Sequence, residues 1–280
     1  MVDQQTAGST TDSRNFKQIL EKQVENAIRE LRRSNGALVV SGLAAGMNVS
    51  FGALFMAMAL TFMPEFGSDL AKQLTLASVS AVGFLLVMIG QTELFTAHTT
   101  MAWLPVLSGH ADLRDLGRLW SIIYAANLVG CTVFAGLVSV LGPALGIVSP
   151  SSFGSLAEAL LPFSWWTILL SGVVAGWLMG LATWLLAASR ETVSGVLVVF
   201  VVTAGIGFGP FHHSLLGTTE VLGAMFLGTG VTLAQFGHFL LWTTLGNIVG
   251  GFVFVALLNY GQIYYGDTPD SVDVDPENIE

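Results

Sequence analysis

Apolar positions run along this chain in long stretches, broken by a few short polar junctions. Residues 34–64 carry no formal charge. Residues 73–111 carry one, Glu93, residues 119–189 one, Glu158, and residues 192–266 one, Glu220. A helix that crosses a bilayer needs about 20 predominantly apolar residues. The pattern therefore predicts six membrane-spanning helices, near 36–63, 75–107, 117–141, 165–188, 193–229 and 236–260. Residues 14–33 follow another rule. Phe16, Ile19, Leu20, Val24, Ala27, Ile28 and Leu31 recur at helical spacing with Lys, Arg and Glu between them, which predicts an amphipathic helix. Two readings of it stand side by side: a helix lying in the membrane interface, or one packed on the protein itself. The chain thus divides into an amphipathic segment 1–33, a six-helix membrane domain 34–262 and an acidic tail 263–280, expected to be disordered.

The spans also repeat. The third contains Asn127-Leu-Val-Gly-Cys-Thr-Val-Phe-Ala and the sixth Asn247-Ile-Val-Gly-Gly-Phe-Val-Phe-Val. The first contains Gly42-x-x-Ala45-Gly46 and the fourth Gly172-x-x-Ala175-Gly176. The second span is interrupted at Gly90-Gln-Thr-Glu-Leu-Phe-Thr, the fifth at Gly209-Pro-Phe-His-His-Ser. Two copies of a three-span unit must insert with opposite orientation, because three is odd. That is the inverted repeat common among transport proteins. Irregular backbone at membrane depth is tolerated only where protein buries it or where it lines a watery cavity. Matching breaks in two halves are therefore the best pointer to a transport site.

Composition narrows the class. Charged residues make up 10% of the chain and apolar residues 53%, whereas soluble domains carry roughly 25% charged residues. Mean hydropathy is +0.70. A soluble enzyme and a disordered chain are excluded. Net charge is −9, so no basic footprint for nucleic acid exists. One cysteine, Cys131, excludes a disulfide framework and a cysteine-based metal cage. Of ten Lys and Arg, nine fall on one side of the predicted topology and only Lys72 on the other. The positive-inside rule then places both termini in the cytoplasm of a multi-pass protein of the cell membrane. No cleavable signal peptide is expected, since the first 33 residues are polar and charged.

The two breaks and the sixth span carry a resemblance. Gly90-Gln-Thr-Glu-Leu-Phe-Thr resembles the Gly-Ala-Asp/Glu-Leu-Phe-Thr loop of the formate/nitrite transporter family. Phe211-His212-His213 resembles that family's Phe-Glu-His, and Leu245-Gly-Asn-Ile-Val-Gly-Gly251 its Leu-Gly-Asn-x-x-Gly-Gly. The resemblance covers roughly residues 14–262. It implies an all-α, aquaporin-like protomer with broken second and fifth spans, assembled as a homopentamer with one pore per protomer. Such a protein passes small monovalent weak-acid anions across the lipid bilayer, with proton coupling through a central histidine as a further expectation. Carried over residue by residue, Leu94, Phe95 and Thr96 match the inner constriction and its loop. His213 matches the central histidine, and Phe84 falls where the constriction has a bulky apolar residue. The departures are specific. His212 replaces the family's Glu, Gly217 replaces an Asn, and Gly176 aligns with another Asn. Ser80 and Ile206 stand where the outer constriction has phenylalanines, and the outer-vestibule lysine is missing. These changes suit a divergent branch and leave the sign of the solute's charge open.

Each ionisable residue at membrane depth has a functional and a plainer reading. Glu93 beside the first break either holds the loop or sits at a helix N-terminus favoured by the dipole. His213 either donates to a passing anion and exchanges its proton, or is a buried neutral ring satisfied by carbonyls. Glu220 is either a pore-lining acid or an acid in the first turn of the fifth span's second half. Asn127 and Asn247 are expected to brace the breaks. His212 and His213 are adjacent, point about 100° apart and lack a nearby carboxylate or thiol at ligand spacing, so no metal site is expected. Two alternatives remain open: a pore for a neutral or cationic solute, and a haem-binding membrane oxidoreductase using His98, His213 and His238. No hydrolase or nucleotide-binding motif occurs, so neither an enzyme nor a bound cofactor is otherwise expected.

Overall fold

The computed structural model describes residues 15–63 and 65–265, and every element among them is helical. Helix α1 spans Phe16–Arg32, α2 Asn35–Phe62 and α3 Asp69–Met88. After a break come α4 at Phe95–Met101 and α5 at Trp103–Leu107. Helix α6 spans Leu113–Ala144, α7 Pro150–Glu158, α8 Trp165–Ala188 and α9 Thr192–Phe208. A second break leads to α10 at Ser214–Phe226, then α11 at Leu233–Gly251. A π-helical stretch, Phe252–Leu257, passes into α12 at Leu258–Tyr264. The first 14 residues of the segment 1–33, and the acidic tail from residue 266, expected to be disordered, lie outside the described residues.

Local chemistry sets most of these starts. Asn15 and Gln18 form a reciprocal cap on α1, Asp112 and Asp115 on α6, and Thr232 and Gln235 on α11. Ser34, Ser68 and Ser149 accept from the first turns of α2, α3 and α7, where Pro150 supplies a pre-set first residue. Such caps satisfy amides that have no partner inside their own helix.

Five of the described helices are long and apolar enough to cross a bilayer: Asn35–Phe62, Asp69–Met88, Leu113–Ala144, Trp165–Ala188 and Leu233–Gln262. The fifth predicted span is two shorter apolar helices, Thr192–Phe208 and Ser214–Phe226, meeting at the break. The second span starts at Asp69 rather than near 75, because Ser68 caps it and Asp69 sits in its first turn. Helix α7 lies in a stretch where hydropathy gave no element. Its Phe153, Leu156 and Ala157 are buried.

Two close helix pairs form the frame, α2 with α6 and α8 with α11. Glycine permits the approach. A Cβ at Gly46 would overlap the carbonyl of Asn127, and one at Gly176 that of Asn247. Small residues at crossings let backbones touch where lipid supplies no hydrophobic drive between helices.

Helix α1 packs on the protein itself. Ile19, Leu20, Val24 and Ile28 are buried with Leu104, Trp184, Val255 and Ala256. The Phe16 and Trp184 ring centroids are 5.1 Å apart. Gln23 Nε2 donates to the Thr183 carbonyl at 2.7 Å. Its apolar stripe is therefore covered by other helices, which decides between the two readings of its amphipathic pattern. Arg118 fixes the turn from α1 to α2, donating to the Leu31 carbonyl and to Asn35 Oδ1.

Candidate permeation site

Both breaks are built by the same set of backbone contacts. Thr92 N donates to Val87 O at 3.1 Å, and Phe211 N to Ile206 O at 3.0 Å, each closing a turn wider than an α-helical one. One residue on, Glu93 N donates to Ser41 Oγ at 3.1 Å and His212 N to Ser171 Oγ at 3.0 Å. An asparagine then bridges each gap. Asn127 Nδ2 donates to Gly42 O and Glu93 O at 2.8 and 2.9 Å, and its Oδ1 accepts from Phe95 N at 2.8 Å. Asn247 Nδ2 donates to Gly172 O and His212 O at 2.9 and 3.0 Å, and its Oδ1 accepts from Ser214 N at 2.9 Å. Both asparagines are fully buried. Helix α2 or α8, the broken chain and α6 or α11 are thereby tied together through one side chain. An amide is the only neutral side chain that offers both an acceptor and two donors in this way.

The side chains projecting from the two frames differ. In the second break His213 caps α10. Its Nδ1 accepts from Leu216 N at 3.2 Å, which places the proton of a neutral ring on Nε2. That nitrogen lies 2.9 Å from Thr96 Oγ1, on the first turn of α4. The Thr96 hydroxyl accepts from the ring and keeps its own hydrogen available. Phe84 of α3 stands edge-on to the imidazole, with centroids 4.9 Å apart. His213, Thr96 and Phe84, which are far apart in sequence, are thus brought together in a buried cluster. His212 points elsewhere: Nδ1 lies 2.8 Å from Ser171 Oγ and Nε2 2.9 Å from the Leu160 carbonyl.

In the first break Leu94 is buried and occupies the position that His213 holds in the second. Phe95 packs its ring against Tyr124 and Trp120 of α6, at 4.6 and 5.5 Å between centroids. Glu93 joins two partners, accepting from Arg33 Nη1 at 2.8 Å and pairing with His98 Nε2. Arg33 also donates to Glu30 at 2.8 Å. Burial, with the charge of Glu93 close by, holds the Glu30 carboxyl above its ordinary range, against the pull of Arg33. A cavity of about 780 Å³ opens beside this network, lined among others by Arg29, Arg33, Glu93, Leu94, His98 and Arg190.

Ser80 is buried and donates to Ala77 O at 2.8 Å. A Cβ on Gly207, the residue after the buried Ile206, would meet its hydroxyl, so α3 and α9 are in close contact there. Glu220 requires a correction. Helix α10 begins at Ser214 with His213 as its cap, so Glu220 lies in mid-helix and not in a first turn. The dipole explanation for it fails with that placement, because the effect fades beyond one turn. Of the histidines weighed for haem, His98 pairs with Glu93, His213 with Thr96, and His238 is exposed on α11.

The linkage from Glu30 through Arg33 and Glu93 to His98 escaped the reading of the sequence. Its members span 69 positions of chain (Glu30 to His98), and charge spacing along α1 alone did not reveal their contact. Ser41 and Ser171 were missed too, although each immediately precedes a glycine that the repeat had identified, Gly42 and Gly172.

Residues 17–261 match the family model described as "Formate/nitrite transporter". The chain belongs to the formate/nitrite transporter family. It is 30% identical over 272 residues to the nitrite transporter NirC of Salmonella typhimurium, covering 94% of this chain and 96% of that one. A solved structure described as an FNT family ion channel superposes with a TM-score of 0.78 at 27% identity, covering 87% of this chain and 98% of the other. A pentameric formate channel with formate bound shares the fold at a TM-score of 0.67 and 22% identity, covering 82% and 97%. As a member of this family the chain is an all-helical, multi-pass membrane protein of the channel and transporter class.

Proposed function

We propose that the protein passes a small monovalent anion such as formate or nitrite, and that the solute crosses the bilayer midplane at the His213–Thr96 pair. The observation that carries this reading is the 2.9 Å contact between His213 Nε2 and Thr96 Oγ1, because it joins the two breaks at one buried point. A charged solute in an apolar slit is costly unless hydrogen bonds or a proton offset its charge. The imidazole N–H and threonine O–H supply donors there. An imidazole can also exchange a proton with a passing solute, which couples anion flux to protons. Leu94 and Phe84 narrow the path on one side of the pair, while Ser80 and Ile206 leave the other approach less obstructed than phenylalanines would. Asn127, Asn247, Glu93 and His212 hold the breaks open and make no contact with the solute.

The protein works as a conduit and not as a catalyst. In this reading it is a homopentamer with both termini cytoplasmic, residues 34–262 forming the channel domain between the amphipathic segment 1–33 and the acidic tail 263–280. The nine-to-one distribution of Lys and Arg supports the orientation. Exposed apolar faces such as Val133, Leu137 and Val140 on α6, and Leu197 and Val201 on α9, suit lipid or neighbouring subunits.

Liposome flux with formate, nitrite, acetate, hydrosulfide, ammonium and glycerol tests this reading. Saturable flux of the anions alone is the expected result. Flux of glycerol or ammonium without formate or nitrite overturns it.

A further inference from the structure

Glu220 stands out among the buried acids. It is 7% exposed, and no hydrogen bond or ion pair reaches its carboxylate from any described residue. Glu93, by contrast, has Arg33 and His98. An ionised carboxylate at membrane depth without a partner is costly.

Its position on α10 is informative. Seven residues after His213 is two helical turns less about 20°, roughly 10 Å along the axis, so both residues lie on one face. A long helical side chain leans back over the preceding turn, which brings the carboxyl toward His213. The neighbouring faces of α10 are taken by other helices. Thr219 meets Ser50 of α2 at 2.6 Å, the Leu215 carbonyl accepts from Cys131 of α6, Gly223 abuts Phe153 of α7, and Gly217 abuts Phe239 of α11. The face between Gly223 and Gly217 is the one that holds Glu220 and leads to His213, Thr96 and Phe84.

The titratable groups on the packed elements do not neutralise it. Helix α2 carries no charged residue. Helix α6 offers Tyr124, bonded to Thr244, and Cys131, and has Arg114, Asp115 and Arg118 only in its first turns. Glu158 on α7 and His238 on α11 are exposed.

We propose, building on the anion-pore reading, that Glu220 is a specificity-determining residue of the solute path, which presents a protonated carboxyl to the anion on the α10 side of His213. In that state it donates a hydrogen bond. When it releases its proton to the anion, the neutral acid moves on and the carboxylate left behind takes a proton from water in the vestibule, releasing hydroxide there. An ionised Glu220 instead repels the next anion, so flux closes as pH rises through its titration.

The test is formate flux into liposomes containing the full-length protein, from about pH 6 to about pH 9, with protein-free vesicles subtracted. Wild-type flux should fall toward tenfold per pH unit at the alkaline end, since each unit removes tenfold of the protonated form. Glu220→Gln keeps a neutral donor that cannot ionise. Its flux at the alkaline end should exceed wild type by about tenfold or more, with that fall removed. Superimposable profiles for a conducting wild type and Glu220→Gln overturn the role of Glu220 and leave the anion pore standing. No formate flux in wild type at any pH overturns both. Ammonium flux in wild type that Glu220→Gln abolishes overturns the proposal, because the carboxylate then works ionised. If Glu220→Gln fails to assemble by size-exclusion chromatography, Glu220→Asp takes its place and should retain the alkaline fall at a shifted pH. Infrared spectra give an independent reading: a protonated-carboxyl C=O band at neutral pH that moves with glutamate-specific isotope labelling and is lost in Glu220→Gln supports the proposal, and its absence from the wild type overturns it.

Discussion

At the first break Asn127 ties Gly42, Glu93 and Phe95 together; at the second Asn247 ties Gly172, His212 and Ser214. A serine receives the amide before each gap, Ser41 in one half and Ser171 in the other. Within this shared frame the projecting residues have separated. The first break presents Leu94 and anchors Glu93 to Arg33 and His98. The second presents His213 and satisfies His212 with a hydroxyl and a carbonyl. Backbone at membrane depth must be satisfied in both halves, so the bracing residues are held to one solution. The side chains that meet the path are under no such constraint, and one break has become apolar while the other supplies donors.

The largest effect should come from the frame. Asn127→Ala and Asn247→Ala each leave a buried amide and a buried carbonyl of the break without a partner, at about 1–3 kcal/mol for each group, and remove the tie to the Gly42 or Gly172 carbonyl. Both should lose assembly or unfold far earlier in a thermal scan in detergent, and by similar amounts. A mild loss in one alone would show that the two breaks do not depend equally on their asparagines.

Substitutions at the pair of histidines separate the frame from its contents. His213→Phe removes the donor at the pair and should lower formate flux by roughly 100-fold, within the range for loss of a positioned proton donor. His213→Asn can still cap α10 and donate, so it should conduct and keep the alkaline fall set by Glu220, losing only the pH dependence that the imidazole itself contributes. His212→Ala should leave the pH profile unchanged and cost about 1–3 kcal/mol in stability, because it strips Ser171 and the Leu160 carbonyl of a buried partner. A flat pH profile in His212→Ala alone would exchange the two roles.

The first break makes a smaller and opposite prediction. Leu94→Ala should raise flux several-fold and admit larger acids such as lactate, as measured with the same vesicles. Phe95→Ala should instead act through stability, by about 3–5 kcal/mol for a buried aromatic ring, since Tyr124 and Trp120 hold its ring. Raised flux in Phe95→Ala with unchanged thermal stability would make Phe95 part of the constriction.

The smallest effect belongs to the ionic network, which among the described residues sits at the first break. Glu30 in its folded setting keeps its proton to higher pH than an ordinary glutamate. Between those two values the folded state binds more protons than the unfolded one, so stability is highest below the ordinary value and falls as pH rises through the raised one. Glu30→Gln removes that slope, a change of less than about 1 kcal/mol for a partly exposed pair, readable as a shift in the melting midpoint across the same pH series.

How much of this was legible in the chain depended on the physics behind each feature. Hydropathy located the spans because each segment must satisfy the bilayer on its own. The matched Gly42/Gly172 and Asn127/Asn247 patterns pointed to the breaks, since close helix crossings and buried amides tolerate few residue types. The amphipathic pattern of 14–33 marked a helix and could not say what covers it. Trp184 and Val255, well over a hundred residues away, decided that. Glu220 looked like a first-turn acid until the helix start was fixed by His213 capping Leu216. Helix α7 gave no signal, because nine residues packed against α10 and α2 need no long apolar run. The apolar runs, the caps and the paired small residues are local or repeated demands of the chain, and the sequence determined them by itself. The meeting of Thr96 with His213, the Arg33–Glu93–His98 linkage and the unpartnered state of Glu220 are relations between distant segments, and only tertiary packing decided them.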